Sequence, residues 1–329
     1  MKKIFCILIA VSVTYLCNAQ KTTNGHIISL DPRFDLLVDK NEKVEILADS
    51  FIWAEGPAWV KDSDYLIFSD VKRNTIFKWK DGEGISEFLR PSGFTGRMRY
   101  SDEPGSNGLI INKRGEVVAC EHGDRRISTM PLAGGGKRTL ADNYHGKFFN
   151  SPNDIVQKSN GDYYFTDPAY GLPKDSAGPG NVLGVYRISK NGEVTLLTDN
   201  MTPNGIAFSP DEKILYIIQS LPEKPVIMSF PVKQNGTLGE GKVFFNAAAM
   251  LKENPKDLPD GMKTDVQGNL FATGPGGVLV ISPSGKLLGK INTPQRAANC
   301  AWGDDGSTLY ITASSLLCRI KTKTKGIGF

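Results

Sequence analysis

The sequence is poor in the side chains that bind soft metal ions or form disulfide frameworks: its 329 residues include three histidines and five cysteines. Two of the cysteines lie in the first 19 residues, so three remain in the rest of the chain. An odd number excludes a complete internal disulfide framework. Cys120, Cys300 and Cys318 lie in apolar, strand-like runs, which indicates buried thiols. Cys300 and Cys318 fall in the same sequence repeat, so a disulfide between them stays an open alternative.

Excess charge and long apolar runs are lacking as well. The 39 Lys and Arg residues against 35 Asp and Glu residues leave a net charge of +4. No basic stripe with interleaved aromatic residues is present, so nucleic acid is not an expected partner. The apolar run at residues 4–16 has about 13 residues and is too short for an ordinary membrane span. Helical periodicity is nearly absent, which favours an all-β protein.

The first 19 residues have the three parts of an export signal. Lys2 and Lys3 form a charged start, the apolar run follows, and Cys17, Asn18 and Ala19 form a small-x-small cleavage site. We therefore expect export to the periplasm or the medium, with residues 20–329 forming one domain. A lipoprotein anchored through Cys17 is an alternative, although bulky residues precede this cysteine where lipidation sites usually have small ones.

A repeated phrase dominates the remaining sequence. Six times, a short polar residue precedes an apolar run, a polar turn and a second apolar run. The lead residues are Glu55, Asn107, Asn153, Asn204, Asp260 and Asn299, separated by 52, 46, 51, 56 and 39 positions. Spacing of this size is typical of the blades of a β-propeller. We predict an all-β, six-bladed β-propeller in which each lead residue begins an inner strand and points toward the central axis.

Other local patterns agree with short antiparallel strands. Turn signals separate apolar runs at Asp81-Gly, Asn191-Gly, Asn235-Gly and Ser284-Gly. Residues 44–47 form a predicted strand that either starts the first blade or completes the last one. Trp59, Phe208 and Trp302 occupy equivalent positions after their lead residues, which predicts packing between blades.

The lead side chains offer oxygen donors and neither thiolate nor imidazole, a set that suits a hard cation. Ca²⁺ takes 6–8 oxygen ligands, and Glu55, Asn153, Asn204 and Asp260 could supply four of them. Their two carboxylates would balance the charge of a divalent ion, and Mg²⁺, Mn²⁺ or Zn²⁺ are also tolerated by oxygen ligands. A cation here would polarise a carbonyl group and lower the pKa of a bound water. The alternative is that Asn and Asp only shape the turns that precede the strands.

Four phrases in the chain resemble the SMP-30/gluconolactonase/LRE family. They occur in order at the blade spacing, and the resemblance covers roughly residues 45 to 320. The phrases are residues 54–59 (Ala-Glu-Gly-Pro-Ala-Trp), 151–154 (Ser-Pro-Asn-Asp), 202–211 (Thr-Pro-Asn-Gly-Ile-Ala-Phe-Ser-Pro-Asp) and 259–262 (Pro-Asp-Gly-Met). Residues 119–126 (Ala-Cys-Glu-His-Gly-Asp-Arg-Arg) further resemble its bacterial gluconolactonase branch.

The resemblance implies a six-bladed propeller with one axial divalent cation, usually Ca²⁺, and hydrolysis of a small sugar lactone or related ester. The ligands of the family fall on Glu55, Asn153, Asn204 and Asp260. The implied mechanism needs no serine nucleophile, because the cation binds the lactone carbonyl while water attacks, with Asp260 as the general base. Glucono-1,5-lactone is the expected type of substrate. The oligomeric state stays open.

The family pattern and the positions of residues along the predicted strands suggest substrate-binding residues. Asn107 matches a family position that contacts substrate. His122 is expected to line the mouth of the site and shuttle protons, the alternative being a hydrogen-bonded structural histidine. Glu121 alternates with His122 along the strand, so one of the two faces away from the site. Some family members carry a substrate-orienting arginine where this chain has Gly105, and Arg97 or Arg99 from the loop at residues 91–105 is expected to replace it.

Two other functions stay open at this point. The same site could hydrolyse an aryl ester, a lactone signal or a phosphotriester. A propeller that binds a ligand or partner, with a purely structural cation, would share the fold without the activity.

Overall fold

The computed structural model describes residues 25–174, 176 and 182–329, and most of its regular structure is β-strand. The expected export signal at residues 1–19 lies outside the described residues. In the described part of the chain, three short 3-10 helices occur at Pro32–Leu36, Lys61–Ser63 and Ala248–Lys252. Among the described residues, no helix combines the length and the apolar character needed to cross a membrane.

Six antiparallel sheets form the blades of a β-propeller, as the repeats predict. Within each blade the strands follow chain order from the axis outward. Blade 1 contains Ala54–Val60, Tyr65–Asp70, Thr75–Lys80 and Gly84–Leu89; blade 2 contains Ser106–Ile111, Glu116–Glu121, Arg126–Pro131 and Arg138–Ala141; blade 3 contains Ile155–Gln157, Tyr163–Asp167, Gly184–Ile188 and Val194–Thr198. Blade 4 contains Pro203–Phe208, Ile214–Gln219, Val226–Pro231 and Lys242–Asn246; blade 5 contains Met262–Thr264, Leu270–Gly274, Gly277–Ile281 and Leu287–Asn292; blade 6 contains Asn299–Gly303, Thr308–Ala313 and Leu316–Lys321.

The ring is closed by neighbouring inner strands and by the N-terminal segment. Each inner strand contacts the next around the ring, and the inner strand of blade 6 contacts that of blade 1. Glu45–Ala48 pairs with the last strand of blade 6, so the strand predicted near residues 44–47 completes the last blade. His26–Ser29 adds a fifth strand to blade 5. A separate hairpin pairs Asn143–Tyr144 with Lys147–Phe148.

Aromatic rings fill the spaces between blades, as predicted. Each residue of the predicted set packs on a ring from the preceding blade, with centroids 4.8–5.2 Å apart: the pairs are Trp59–Tyr310, Phe208–Tyr164 and Trp302–Phe271. The glycines of the four predicted turns have positive φ, the conformation such hairpins require: they are Gly82, Gly192, Gly236 and Gly285.

A glycine follows four of the six lead residues because the inner strands approach closely at the axis. The Gly205 N–H donates to the Asp260 carbonyl oxygen at 2.8 Å, and a Cβ at Gly205 would lie 2.3 Å from that oxygen. In blade 1 the strand register shifts between Glu55 and Ala58, and Gly56 has a φ of 49°. Such a bulge re-aims the neighbouring side chain, which here is the lead residue Glu55.

The two cysteines of blade 6 do not form a disulfide. Cys300 pairs with Ile311 on the next strand, and Ile311 pairs with Cys318 on the strand beyond. Two strand spacings place the cysteines about 10 Å apart, beyond the Cα separation of about 7 Å that a disulfide tolerates. Both thiols are free and buried, and burial raises the pKa of each to about 12.

Candidate active site

A cavity of about 370 Å³ opens on the propeller axis where the inner strands begin. Five of the six lead side chains line it: Glu55, Asn107, Asn153, Asn204 and Asp260. The structure thus brings together the four predicted cation ligands and the predicted substrate contact Asn107. Asn299 does not line the cavity, and its amide lies beside Glu55.

Hydroxyl groups at the ends of the second strands hold the axial backbone in place. The Ser69 hydroxyl donates to the carbonyl oxygen of Asn107 at 2.8 Å. The Thr273 hydroxyl donates to the carbonyl oxygen of Ala298 at 2.8 Å and accepts from the Gly261 N–H at 2.9 Å. Ser69 and Thr273 thus link the second strands of blades 1 and 5 to the backbone that begins the inner strand of the next blade.

Two buried carboxylates dominate the electrostatics of the cavity floor. Burial raises the pKa of Glu55 well above its ordinary value, repulsion from Asp260 adds to the rise, and a hydrogen bond from the Gly56 N–H opposes it. Burial also raises the pKa of Asp260 to about 7, opposed by the Arg296 guanidinium and by a hydrogen bond from Asn204. Two acids that repel each other in a buried site gain stability from a bound positive charge.

The donor set fits a hard divalent cation. Glu55 and Asp260 contribute carboxylate oxygens, and Asn153 and Asn204 contribute amide oxygens, the ligand types that Ca²⁺ prefers. Across the described ranges, no group of three or more His, Cys, Asp or Glu side chains is arranged to hold a metal ion. The fit therefore depends on two carboxylates acting together with two amides.

An arginine that the sequence did not reveal reaches this cavity. A terminal nitrogen of Arg296 lies 3.3 Å from Oδ2 of Asp260, and the guanidinium lies over the Trp53 ring at 5.2 Å from its centroid. The carboxylate of Asp70 fixes the turn before blade 1 by accepting the N–H groups of Ile52 and Trp53 at 2.9 and 3.2 Å. The result is a fixed cation beside the predicted base.

The cavity wall carries further polar groups that could meet substrate hydroxyls. Lys72 Nζ lies 3.7 Å from a carboxylate oxygen of Glu103. Burial raises the pKa of Glu103, and Lys72 opposes the rise. The Tyr170 hydroxyl lies beside Ser220 and Asn204, while its ring is partly exposed at the mouth.

The cavity does not include His122, contrary to its predicted place at the mouth. The ring is fully buried, and its Nδ1 lies 3.1 Å from the carbonyl oxygen of Glu103. Burial lowers the pKa of His122 to about 4, and the Glu103 carbonyl opposes the change. A neutral imidazole in this position supports the backbone next to the cavity wall, which agrees with the structural alternative.

Glu121 does not line the cavity either, contrary to the prediction. Its carboxylate is fully buried away from the cavity. Arg126 Nε and Lys137 Nζ contact its oxygens at 2.7 and 2.6 Å, and Ser128 donates to it. Lys137 also donates to the carbonyl oxygen of Ser92. This buried ion cluster fixes the start of the loop at residues 91–105 to blade 2.

The arginines proposed as substitutes at position 105 do not line the cavity. Arg97 is exposed, and Arg99 is largely exposed and pairs with Asp102. Gly105 itself has no room for a side chain, because a Cβ there would lie 2.5 Å from the carbonyl oxygen of Val71. The arginine of this cavity is Arg296, from the turn between blades 5 and 6.

The fold and the cavity define a six-bladed propeller with an acidic, amide-rich site on its axis. The sequence pattern described as the SMP-30/Gluconolactonase/LRE-like region matches residues 53–315. The chain belongs to this family, which confirms the resemblance read from the four phrases.

Individual relatives agree with this assignment. The chain is 38% identical over 321 residues to a gluconolactonase of Zymomonas mobilis, a match that covers 94% of this chain and 89% of the relative. Bovine regucalcin is 29% identical over 283 residues, covering 83% of this chain and 87% of the relative. The solved structure of a gluconolactonase from Xanthomonas campestris superposes with a TM-score of 0.79 at 28% identity, covering 93% of this chain and 99% of the other.

Proposed function

We propose that this protein is an exported, cation-dependent lactonase that hydrolyses a sugar lactone of the glucono-1,5-lactone type. The observation that carries the proposal is the axial cavity. It combines two buried carboxylates and three amides with a guanidinium and further hydroxyl-binding groups, in a volume of about 370 Å³. Similarity to gluconolactonases along most of the chain supports the same reaction class, ester hydrolysis in a lactone ring. Export is supported by the pattern of the first 19 residues.

A divalent cation held by Glu55, Asn153, Asn204 and Asp260, with Ca²⁺ the best match to these ligands, would supply Lewis acidity toward the lactone carbonyl. Asp260 is the proposed general base, and its Oδ2 can accept the proton of the attacking water. Arg296 holds that oxygen in a fixed direction, because its guanidinium is packed on Trp53.

A sugar lactone presents several hydroxyl groups, and the cavity wall offers partners for them. Asn107 can donate and accept through its amide, Lys72 can donate, and Glu103 can accept. Tyr170 can do both through its hydroxyl. This polar lining favours a polyhydroxylated lactone over an aryl ester, which needs an apolar surface for its ring.

The deciding experiment is hydrolysis of glucono-1,5-lactone by the purified protein in a pH-stat, first as prepared, then with EDTA, then with Ca²⁺ added back. We expect turnover well above the spontaneous rate, its loss in EDTA and its return with Ca²⁺. Activity that persists in EDTA would contradict the cation requirement. Turnover of phenyl acetate or of a phosphotriester, without turnover of the lactone, would show that the substrate is an ester other than a sugar lactone.

A further inference from the structure

A second recess lies beside the axial cavity. This recess, of about 440 Å³, is formed by Arg99, Tyr100, Ser101, Asp102, Leu172, Pro173 and Lys174, and we call it the distal recess. It shares three wall residues with the axial cavity: Lys72, Glu103 and Tyr170. The two spaces are therefore adjacent, and a ligand that occupied both would pass over these three side chains.

The distal recess is as large as the axial cavity, so it can hold a group of similar size. Tyr100 and Tyr170 give it two aromatic side chains, and Tyr100 is held by packing on Phe94 with ring centroids 5.0 Å apart. Tyr170 divides the two spaces, because its hydroxyl lies beside Asn204 in the axial cavity while part of its ring is exposed. Aromatic faces combined with polar groups suit a ring that has an apolar face and polar edges.

The charged side chains of the distal recess already contact one another. Arg99 and Lys174 lie 2.5 and 3.6 Å from carboxylate oxygens of Asp102, and Lys72 lies 3.7 Å from Glu103. An incoming anion would therefore compete with carboxylates that these cations already contact. Sugar hydroxyls can donate to the carboxylates and accept from the cations without separating the pairs.

We propose that the distal recess is a second sugar subsite, so that the preferred substrate is an aldonolactone carrying a glycosyl residue. The inference rests on the proposed lactonase function, since it places the lactone ring in the axial cavity. Binding energy gained by the second sugar, which does not react, lowers the barrier for the ring that does.

Initial rates with cellobiono-1,5-lactone and glucono-1,5-lactone, corrected for spontaneous hydrolysis, test the proposal. We expect the disaccharide lactone to have a kcat/KM roughly 10–100-fold higher. Tyr100→Ala should remove most of this preference without changing kcat/KM for gluconolactone, while Tyr100→Phe should keep it. Arg114→Gln is the matched control, because Arg114 forms an exposed ion pair with Glu116 on blade 2, away from both spaces.

The outcomes separate this inference from the proposed function. Turnover of gluconolactone without preference for the disaccharide lactone, or a preference that Tyr100→Ala leaves intact, overturns the distal recess as a sugar subsite and leaves the lactonase proposal standing. Preference for 6-phosphoglucono-1,5-lactone over both would show an anionic group there instead.

A binding measurement tests the subsite even without turnover. Calorimetry should show tighter binding of cellobionate than of gluconate to the wild type, and a loss of the difference in Tyr100→Ala. That result in a protein that hydrolyses neither lactone would reject the lactonase and keep the sugar subsite. Equal affinities would reject the subsite.

Discussion

Asp260 combines two roles at a single position, since it is both a proposed cation ligand and the proposed base. Asp260→Asn keeps the shape of the side chain but removes its charge and its ability to accept a proton. We expect kcat on glucono-1,5-lactone to fall by about 10²–10⁴-fold, with an unchanged circular dichroism spectrum. Asp211→Asn, in an exposed turn, is the control. A variant Asp260→Asn that retains more than a tenth of the activity would remove the general-base assignment.

Glu55 has a simpler predicted role, which is to hold the cation. Glu55→Gln removes one of the two carboxylate charges from the cavity floor, and affinity for a hard cation depends on ligand charge. Calorimetric titration with Ca²⁺ should therefore show an affinity at least about tenfold lower than that of the wild type. Equal affinities for the two proteins would exclude Glu55 from the ligand set.

A third carboxyl group links stability to pH without touching the proposed ligands. Asp167 is buried, and burial raises its pKa to about 8, opposed by hydrogen bonds from Asn150 and Ser151. Oδ2 accepts the N–H of Asn150 at 2.8 Å, whereas Oδ1 is buried without a hydrogen-bond partner. Asp167 thus stays protonated in the folded protein at pH values where it ionises in the unfolded chain.

The sign of this effect follows from proton binding. Between the unfolded pKa of about 4 and the folded value of about 8, the folded state holds more protons, so the free energy of unfolding falls as pH rises. The loss from this group is at most about 1.4 kcal/mol per pH unit. Urea unfolding at pH 5 to 8 should show a smaller decline in Asp167→Asn than in the wild type. Parallel declines would refute the assignment.

Residues of the site could be predicted only where they belong to the sequence repeat. Six lead residues were identified because their spacing revealed the axis. Five of them line the cavity, whereas Asn299 lies beside Glu55 without lining it. Arg296, Trp53 and Tyr170 come from turns between blades or strands, which follow no period, so nothing in their spacing indicated that they converge. Alternation along the strand left open whether Glu121 or His122 faced the site. Neither does, because the local turn buries one in an ion cluster and the other behind Glu103.

At the scale of the strand, the close approach of neighbouring inner strands around the axis depends on glycine. The Gly205 N–H bonds directly to the backbone of Asp260, and an added Cβ would meet that carbonyl oxygen at 2.3 Å. Gly205→Ala should therefore lower the free energy of unfolding by about 1–3 kcal/mol, because backbone cannot move aside as a flexible side chain can. Lactonase activity should fall as well, since the displaced backbone carries Asp260.

The matched control for this substitution is Gly136→Ala. Gly136 lies in a turn of blade 2 with no atom within 4 Å of an added Cβ. Its urea unfolding should match that of the wild type within about 0.5 kcal/mol. If Gly205→Ala is as stable and active as Gly136→Ala, close backbone approach does not shape the axis.

The strands and their hairpin turns were the most predictable feature of this fold. Alternating apolar runs and glycine turns predicted the hairpins, because both signals are local. The fifth strand of blade 5 at His26–Ser29 was not predicted. It is four residues long and pairs with Leu287–Asn292 across more than 250 residues, so no local pattern indicates its partner.

At the scale of the whole molecule, the N-terminal segment joins blades 5 and 6. Phe34 is fully buried, and its ring lies on the backbone of Gly289 in blade 5. A few residues later, the Leu37 carbonyl oxygen accepts the N–H of Lys323, just beyond the last strand of blade 6. The same core cluster contains residues of both blades, including Val280 and Leu309. The segment therefore stabilises the ring at the place where the chain closes it.

Phe34→Ala tests this closure, with Leu36→Ala from the same 3-10 helix as its control. We expect Phe34→Ala to lower the free energy of unfolding by about 3–5 kcal/mol, the usual result of emptying a buried aromatic site. Leu36 is 71% exposed, so its replacement should change stability by less than about 0.5 kcal/mol. The kcat of folded Phe34→Ala should stay unchanged, because the segment stabilises the ring without contributing to the axial cavity. Equal stabilities of the two variants would mean that the inner strands alone close the propeller.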